Sequence, residues 1–221
     1  MARLHEQYKK TVIPALQKEF QIKNVMAVPR IEKVVINTGI GRIAKDDTTI
    51  EKIERDLGML AGQKPVFRKA RKSVSSFKLR QGMPVGLTVT LRGNRMYDFL
   101  DRLISIALPA SKDFRGIDQK NVDQNGNLNL GIKEQNIFPE ISYETLKDIF
   151  GLQVTVVTKN ANREQGIALM RQLGFPLQKE VEGRQERTVR KDVVSEVQGE
   201  GSRKAGIASG RTTSGSEVPS Q

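Results

Sequence analysis

The chain has 221 residues, with 37 Lys or Arg against 25 Asp or Glu, a single His, and neither Cys nor Trp. The net charge of +12 and a pI near 10.0 point to a polyanionic partner, with nucleic acid ahead of an anionic membrane surface. The lack of Cys excludes disulfides and thiolate metal sites, and no apolar run approaches the roughly 18 residues of a spanning helix.

The N-terminal segment MARLHEQYKK lacks an apolar signal core, and acidic Glu6 argues against a transit peptide, so a cytoplasmic setting is expected. Leu4, Tyr8, Val12, Leu16 and Phe20 recur every fourth residue and predict a helix, which Pro14 should break or kink near Ile13. A strand is expected from Arg30 to Asn37. It runs into Gly39-Ile40-Gly41-Arg42-Ile43-Ala44, a formal match to a dinucleotide-binding glycine pattern. The helix that follows has Thr48 and Glu51 at capping-box spacing, Ile50, Ile53, Leu57 and Leu60 as its apolar stripe, and Gly62 as its stop. A nucleotide fold then needs a second parallel strand ending in an acidic residue to hold the ribose. Met59–Lys69 is neutral and then basic, so the glycines are assigned to a tight turn.

The stretch Lys64–Arg92 carries the strongest signal. Pro65–Ala70 reads as a strand, Arg71–Pro84 as a long loop, and Val85–Arg92 as an alternating strand. That strand sets Val85, Leu87, Val89 and Leu91 on one face and Gly86, Thr88, Thr90 and Arg92 on the other. Lys64, Arg68, Lys69, Arg71, Lys72, Lys78 and Arg80 stand in this region with no acidic residue among them. Ser73, Ser75 and Ser76 can donate to phosphate, and Phe77 offers a stacking face. A charge run in a balanced chain is usually a solvated face; here the whole chain leans basic, which favours an RNA contact.

Asn94–Leu108 reads as a helix with Met96, Phe99, Leu100, Leu103, Ile104 and Ala107 on its core face, ended by Pro109. Residues 110–140 are polar, with a hairpin turn expected at Asn125-Gly126 and a charged loop around Phe114-Arg115-Gly116. A short helix from Ser142 to Phe150, a strand Leu152–Thr158 and a helix Arg163–Leu173 complete the pattern. Residues 181–221 contain no aromatic residue and hold seven Lys or Arg against six Asp or Glu, so a disordered or weakly helical extension is expected. The order of elements predicts an α+β fold: a mostly antiparallel sheet with helices on one face, residues 1–179 forming one RNA-binding domain and 180–221 a low-complexity tail.

Catalytic sets are missing. His5, on the first helix, is read as a surface residue, and neither a metal-ligand cluster nor a Ser/His/Asp arrangement can be assembled. Asp98 and Asp101 share a helix with Arg95 and Arg102, and ion pairing accounts for them. The expectation is a binding protein with no cofactor. A nucleotide-binding enzyme at Gly39–Gly41 and a nonspecific basic coat protein are the alternatives.

Gly62-Gln63-Lys64-Pro65, SFKLRQGMPVGLTVTLRG (76–93) and MYDFLDRL (96–103) resemble the bacterial-type large-subunit ribosomal protein L-five family. VPRIEKVVINTGIG, DFRGI, GIKEQNIFPEI and LGFP agree in the same order, so the resemblance covers roughly residues 1–178. It implies a structural protein of the large ribosomal subunit, located in the cytoplasm. In that family the protein binds 5S rRNA in the central protuberance and contacts 23S rRNA, P-site tRNA and neighbouring large-subunit proteins. It also bridges to small-subunit ribosomal protein thirteen. The 5S rRNA-binding residues implied are Asn37, Gln63, Thr90, Val35 and Leu87, with Arg68, Lys69 and Arg92 on phosphate. The tRNA loop would be Arg71, Lys72, Ser73, Ser75, Ser76, Phe77, Lys78 and Arg80. The bridge would use Lys112, Asp113, Phe114 and Arg115. Here Ala110-Ser111-Lys112 stands where the family carries two arginines, which lowers the charge at that contact.

Overall fold

The computed structural model describes residues 3–41, 47–111, 114–141 and 149–178. The chain divides into two units, Met1–Gln178 and Lys179–Gln221. The expected tail lies outside the described residues, as does most of the helix expected from Ser142 to Phe150.

Five strands form one sheet: β1 (Arg30–Gly39), β2 (Val66–Lys69), β3 (Pro84–Leu91), β4 (Leu128–Ile132) and β5 (Leu152–Lys159). Their order is β2-β3-β1-β5-β4 and every pairing is antiparallel. Alternation along the strands explains why one face is covered. Val34, Ile36, Leu87, Val89, Leu91, Leu130, Val154 and Val156 are buried on one side of the sheet. They meet Leu16, Ile53, Leu57, Phe99, Leu103 and Leu169 from the helices. Each such side chain contributes about 1.5–3 kcal/mol by leaving water. The opposite side carries polar residues and glycines with Val35, Val66 and Val157 among them, and no helix among the described residues covers it. The fold is α+β, as expected from sequence.

The helices are α1 (Arg3–Gln7), α2 (Ile13–Phe20), α3 (Asp47–Ala61), α4 (Gly93–Arg102), α5 (Leu108–Ala110) and α6 (Arg163–Gln172). Pro14 does not break the first helix. A π-helical segment, Tyr8–Val12, joins α1 to α2, with Ile13 N–H donating to the Tyr8 carbonyl. Proline lacks an N–H and its ring would strike the carbonyl four residues back; widening the turn relieves that clash. The same device recurs at Leu103–Ala107, where Leu108 N–H donates to the Leu103 carbonyl. The helix therefore passes through Pro109 and ends at Ala110 rather than at the proline.

Three further expectations need correction. Asp101 pairs with Arg3 at 2.6 Å, across 98 residues, and not with Arg95 or Arg102. Arg102 sits 2.9 Å from Glu140, its Nε against Oε1 at an angle that makes an ion pair without a linear hydrogen bond, and it donates to the Leu60 carbonyl at 2.9 Å. His5 is half-buried and stacks on Tyr97 with ring centroids 4.6 Å apart, so it helps dock the first helix on α4.

Gly39 lies within β1, opposite Gly86, and Ile40 N–H donates to the Val85 carbonyl at 3.1 Å. Neither Gly39 nor Gly41 has a positive φ, so neither is held there by a left-handed turn. An all-antiparallel sheet offers no parallel crossover for a dinucleotide, which removes that reading. At the expected hairpin, Asp123 accepts from the backbone N–H groups of Asn125 and Asn127, and Gly126 turns at φ 75°. A Cβ on Gly166 of α6 would lie 2.5 Å from the Gly126 Cα, so two glycines let helix and turn touch.

Candidate nucleic-acid interface

The register of the sheet assembles the open face in rows. One row runs Asn129, Thr155, Val35, Thr90 from β4 to β3. The next runs Gly131, Gln153, Asn37, Thr88, Val66 across all five strands. A third sets Gly39, Gly86 and Arg68 side by side. Apart from Val35, Val66, Arg68 and the glycines, the side chains are short amides and hydroxyls that can donate or accept. Thr88 donates to Asn37 Oδ1 at 3.0 Å and Thr155 to Asn129 Oδ1 at 2.8 Å, which fixes both amide groups in place. A Cβ at Gly86 would meet the Thr38 carbonyl at 3.0 Å, so glycine keeps this part of the face level with the backbone. Such a surface admits a ribose or base edge close to the sheet and presents hydrogen-bonding groups to it.

Among the residues expected to touch RNA, Val35, Asn37 and Thr90 are brought together on this face. Leu87 is not: it is fully buried on the helix side, directly opposite Thr38, and supports the sheet from behind. Alternation dictates this, since Thr90 and Leu87 are an odd number of residues apart on one strand. Gln63 lies between α3 and β2, beside a hollow of about 540 Å³ shared with Glu51, Glu54 and Arg55, and not in the rows. Asn129, Gln153 and Thr155 also belong to the face, and no motif in the sequence marks them. Their only local signal is the polar half of an alternating strand.

The basic hairpin borders this face. Beyond β2 it closes on itself: Ala70 N–H donates to the Met83 carbonyl at 2.8 Å, and Val74 and Leu79 exchange bonds at 3.0 and 3.1 Å. Gln81 N–H donates to Ser73 Oγ at 2.9 Å. Lys78 takes a left-handed φ of 54° after the single turn Ser75–Phe77, which leaves Phe77 exposed at the tip, at 75%. Lys64 is paired with Glu54 at 3.4 Å. The other six cations (Arg68, Lys69, Arg71, Lys72, Lys78 and Arg80) are exposed and have no carboxylate partner among the described residues. Six unpaired like charges on one short hairpin repel each other until an anion arrives.

Phe114 is half-buried and Arg115 exposed in their loop; Lys112 and Asp113 lie outside the described residues. The loop is tied to the end of the domain, where the Gln178 side chain donates to the Arg115 carbonyl at 2.9 Å. A cleft of about 810 Å³ opens beside it, lined in part by Ile106, Leu130, Ile132 and Ile137. Among the described residues no group of His, Asp and Glu could hold a metal ion, and no helix is long and apolar enough to cross a membrane.

An open, polar, glycine-floored sheet flanked by unpaired cations defines an α+β protein suited to folded nucleic acid. The family described as ribosomal protein L5 matches residues 24–80, and the C-terminus of the same ribosomal family matches residues 84–177. The chain is 52% identical over 174 residues to large ribosomal subunit protein uL5 of Chloroflexus aurantiacus, covering 79% of this chain and 97% of that one. It is 53% identical over 176 residues to uL5 of Herpetosiphon aurantiacus, covering 80% and 98%, and 49% identical over 181 residues to uL5 of Colwellia psychrerythraea, covering 82% and 100%. The chain therefore belongs to the ribosomal protein L5 family, whose members are structural components of the large ribosomal subunit and not enzymes.

Proposed function

We propose that this ribosomal protein works in the cytoplasm by holding 5S rRNA on its open sheet face, within the central protuberance of the large subunit. Val35, Asn37 and Thr90 lie against the RNA, with Gln63 at the rim, while Arg68, Lys69 and Arg92 hold phosphate. The hairpin tip, Arg71 to Arg80 with Phe77 at its end, reaches P-site tRNA. The loop that carries Phe114 and Arg115, together with Lys112 and Asp113, faces small-subunit ribosomal protein thirteen. Contacts with 23S rRNA and neighbouring large-subunit proteins complete the set of partners.

The observation that carries this reading is the open face itself, a hydrogen-bonding surface bordered by six unpaired cations. Charge supplies affinity and the short polar side chains supply selectivity. The test is binding of the full chain to 5S rRNA and to an unrelated folded RNA of similar length across a salt series. About four phosphate contacts from the hairpin alone contribute about −3 to −4 to the slope of log K on log salt. Preference for 5S rRNA that survives high salt and is weakened by Asn37→Ala or Thr90→Ala supports the proposal. Equal affinity for both RNAs, lost as salt rises, would leave only a nonspecific basic protein.

A further inference from the structure

At the end of the open face away from the hairpin, four cations gather. Arg30 on β1 stands directly opposite Lys159 on β5, and both are exposed. Lys33 lies on the same face, opposite Val157. Arg92 is extended (φ −140°, ψ 161°) and continues β3 one step past the Val34–Leu91 pair, which sets it beside Lys33. The bulge between Ile31 and Lys33 keeps Arg30 and Lys33 on one side although they are three residues apart. Glu32 occupies that bulge, and no ion pair joins it to any of the four among the described residues.

Like charges directly opposite on neighbouring strands are destabilising, and an anion between them relieves the repulsion. Here a like-charged cross-strand pair sits at one end of a face whose middle rows carry no charge, with two more cations next to it. Arg68 marks the other end, beside Gly39 and Gly86. Eight ladder steps of β1, with Glu32 taken up by the bulge, separate the two ends, roughly 26 Å at about 3.3 Å per step.

We propose that Arg30, Lys33 and Lys159 join Arg92 in a second phosphate-binding site, at the end of the face away from the hairpin, that takes the sugar–phosphate backbone of the same RNA whose bases or 2′-hydroxyls lie over the polar rows. The inference rests on the RNA-binding reading above and adds to it a contact separate from the hairpin. The occupant is nucleic acid because the site offers four spread point charges flanking a level hydrogen-bonding surface, which matches successive phosphates.

The experiment measures the affinity of the full chain for 5S rRNA from about 50 to about 300 mM salt, for the wild type, R30Q/K33Q/K159Q and K78Q/R80Q. Each lost phosphate contact should reduce the steepness of the salt slope by about 0.7–0.9, so the triple variant becomes shallower by about 2 to 3. Lys159→Arg should keep the wild-type slope. Without RNA, the melting temperature of the triple variant should stay level or rise, since repulsion is removed. An unchanged slope in the triple variant beside a shallower one in K78Q/R80Q would show that RNA misses this end of the sheet, and would overturn the inference while leaving the RNA reading intact. A lower melting temperature in the triple variant would assign these cations to the fold and overturn it as well. If the wild type itself shows no salt-dependent binding, the RNA reading falls and this site falls with it.

Discussion

Two residues of β3, three positions apart, carry opposite duties because the strand alternates. Leu87→Ala should destabilise the protein by about 2–5 kcal/mol in urea titration, since it empties a fully buried site. Thr90→Ala should change stability by less than about 0.5 kcal/mol and act on RNA affinity instead. Glycines divide in the same way. Gly166→Ala forces a Cβ within 2.5 Å of the Gly126 Cα and should cost about 1–3 kcal/mol or more by the same measurement. Gly131→Ala, with open space around it, should be neutral. Tyr8 supplies a pH-dependent term. Burial first, and then Tyr97, push its hydroxyl from 10.0 up to about 12, against a smaller pull from Arg30, and it donates to the Pro29 carbonyl at 3.0 Å. A raised pKa means that the folded state keeps a proton which the unfolded chain gives up. The stabilisation is complete below pH 10 and is lost as pH rises towards 12. Denaturation curves between those limits should therefore fall less steeply in Tyr8→Phe than in the wild type.

The basic hairpin is the element most readily tested apart from the rest. Its cations and Phe77 are exposed, and its tip is held by backbone bonds. Phe77→Ala should leave the melting temperature unchanged while weakening RNA binding by up to about 1–3 kcal/mol if the ring stacks on a base. Loss of stability with RNA affinity intact would mean that Phe77 serves the hairpin and not a ligand. The two π-helical segments show what a proline does inside a packed helix. Sequence alone predicts a break or kink at Pro14 and a stop at Pro109, because the local rule counts only the missing N–H and the clash. Packing overrides it: Tyr8, Val12, Leu103 and Ala107 are all buried, and a widened turn keeps them on the core side.

At the scale of the whole molecule, the charge of +12 has its own consequence. Repulsion among exposed cations opposes the compact state, and salt screens it over about 10 Å at 0.1 M. The melting temperature of the RNA-free protein should rise as salt is raised from about 20 to about 200 mM, even as RNA affinity falls over the same range. A melting temperature that drops with added salt would point instead to favourable surface ion pairs, such as Arg3–Asp101, as the dominant electrostatic term.

Much of this was legible in the chain. The alternation of Val85–Arg92, the apolar stripes of α3 and α4, the seven-cation run and the Asn125-Gly126 turn are all local, set by neighbours within a few residues. The ordered family motifs carried the assignment to the ribosomal L5 family. What could not be read was which strand lies beside which. Sequence says that Thr155 and Asn129 are on polar faces, but only pairing at 120 and 26 residues' separation places them next to Val35 and each other. The same holds for Arg30 against Lys159 and Arg3 against Asp101. Local pattern determines the face on which a side chain stands. Strand order and register, chosen by burying every apolar face at once, determine its neighbours, and the proposed binding surface is made of neighbours.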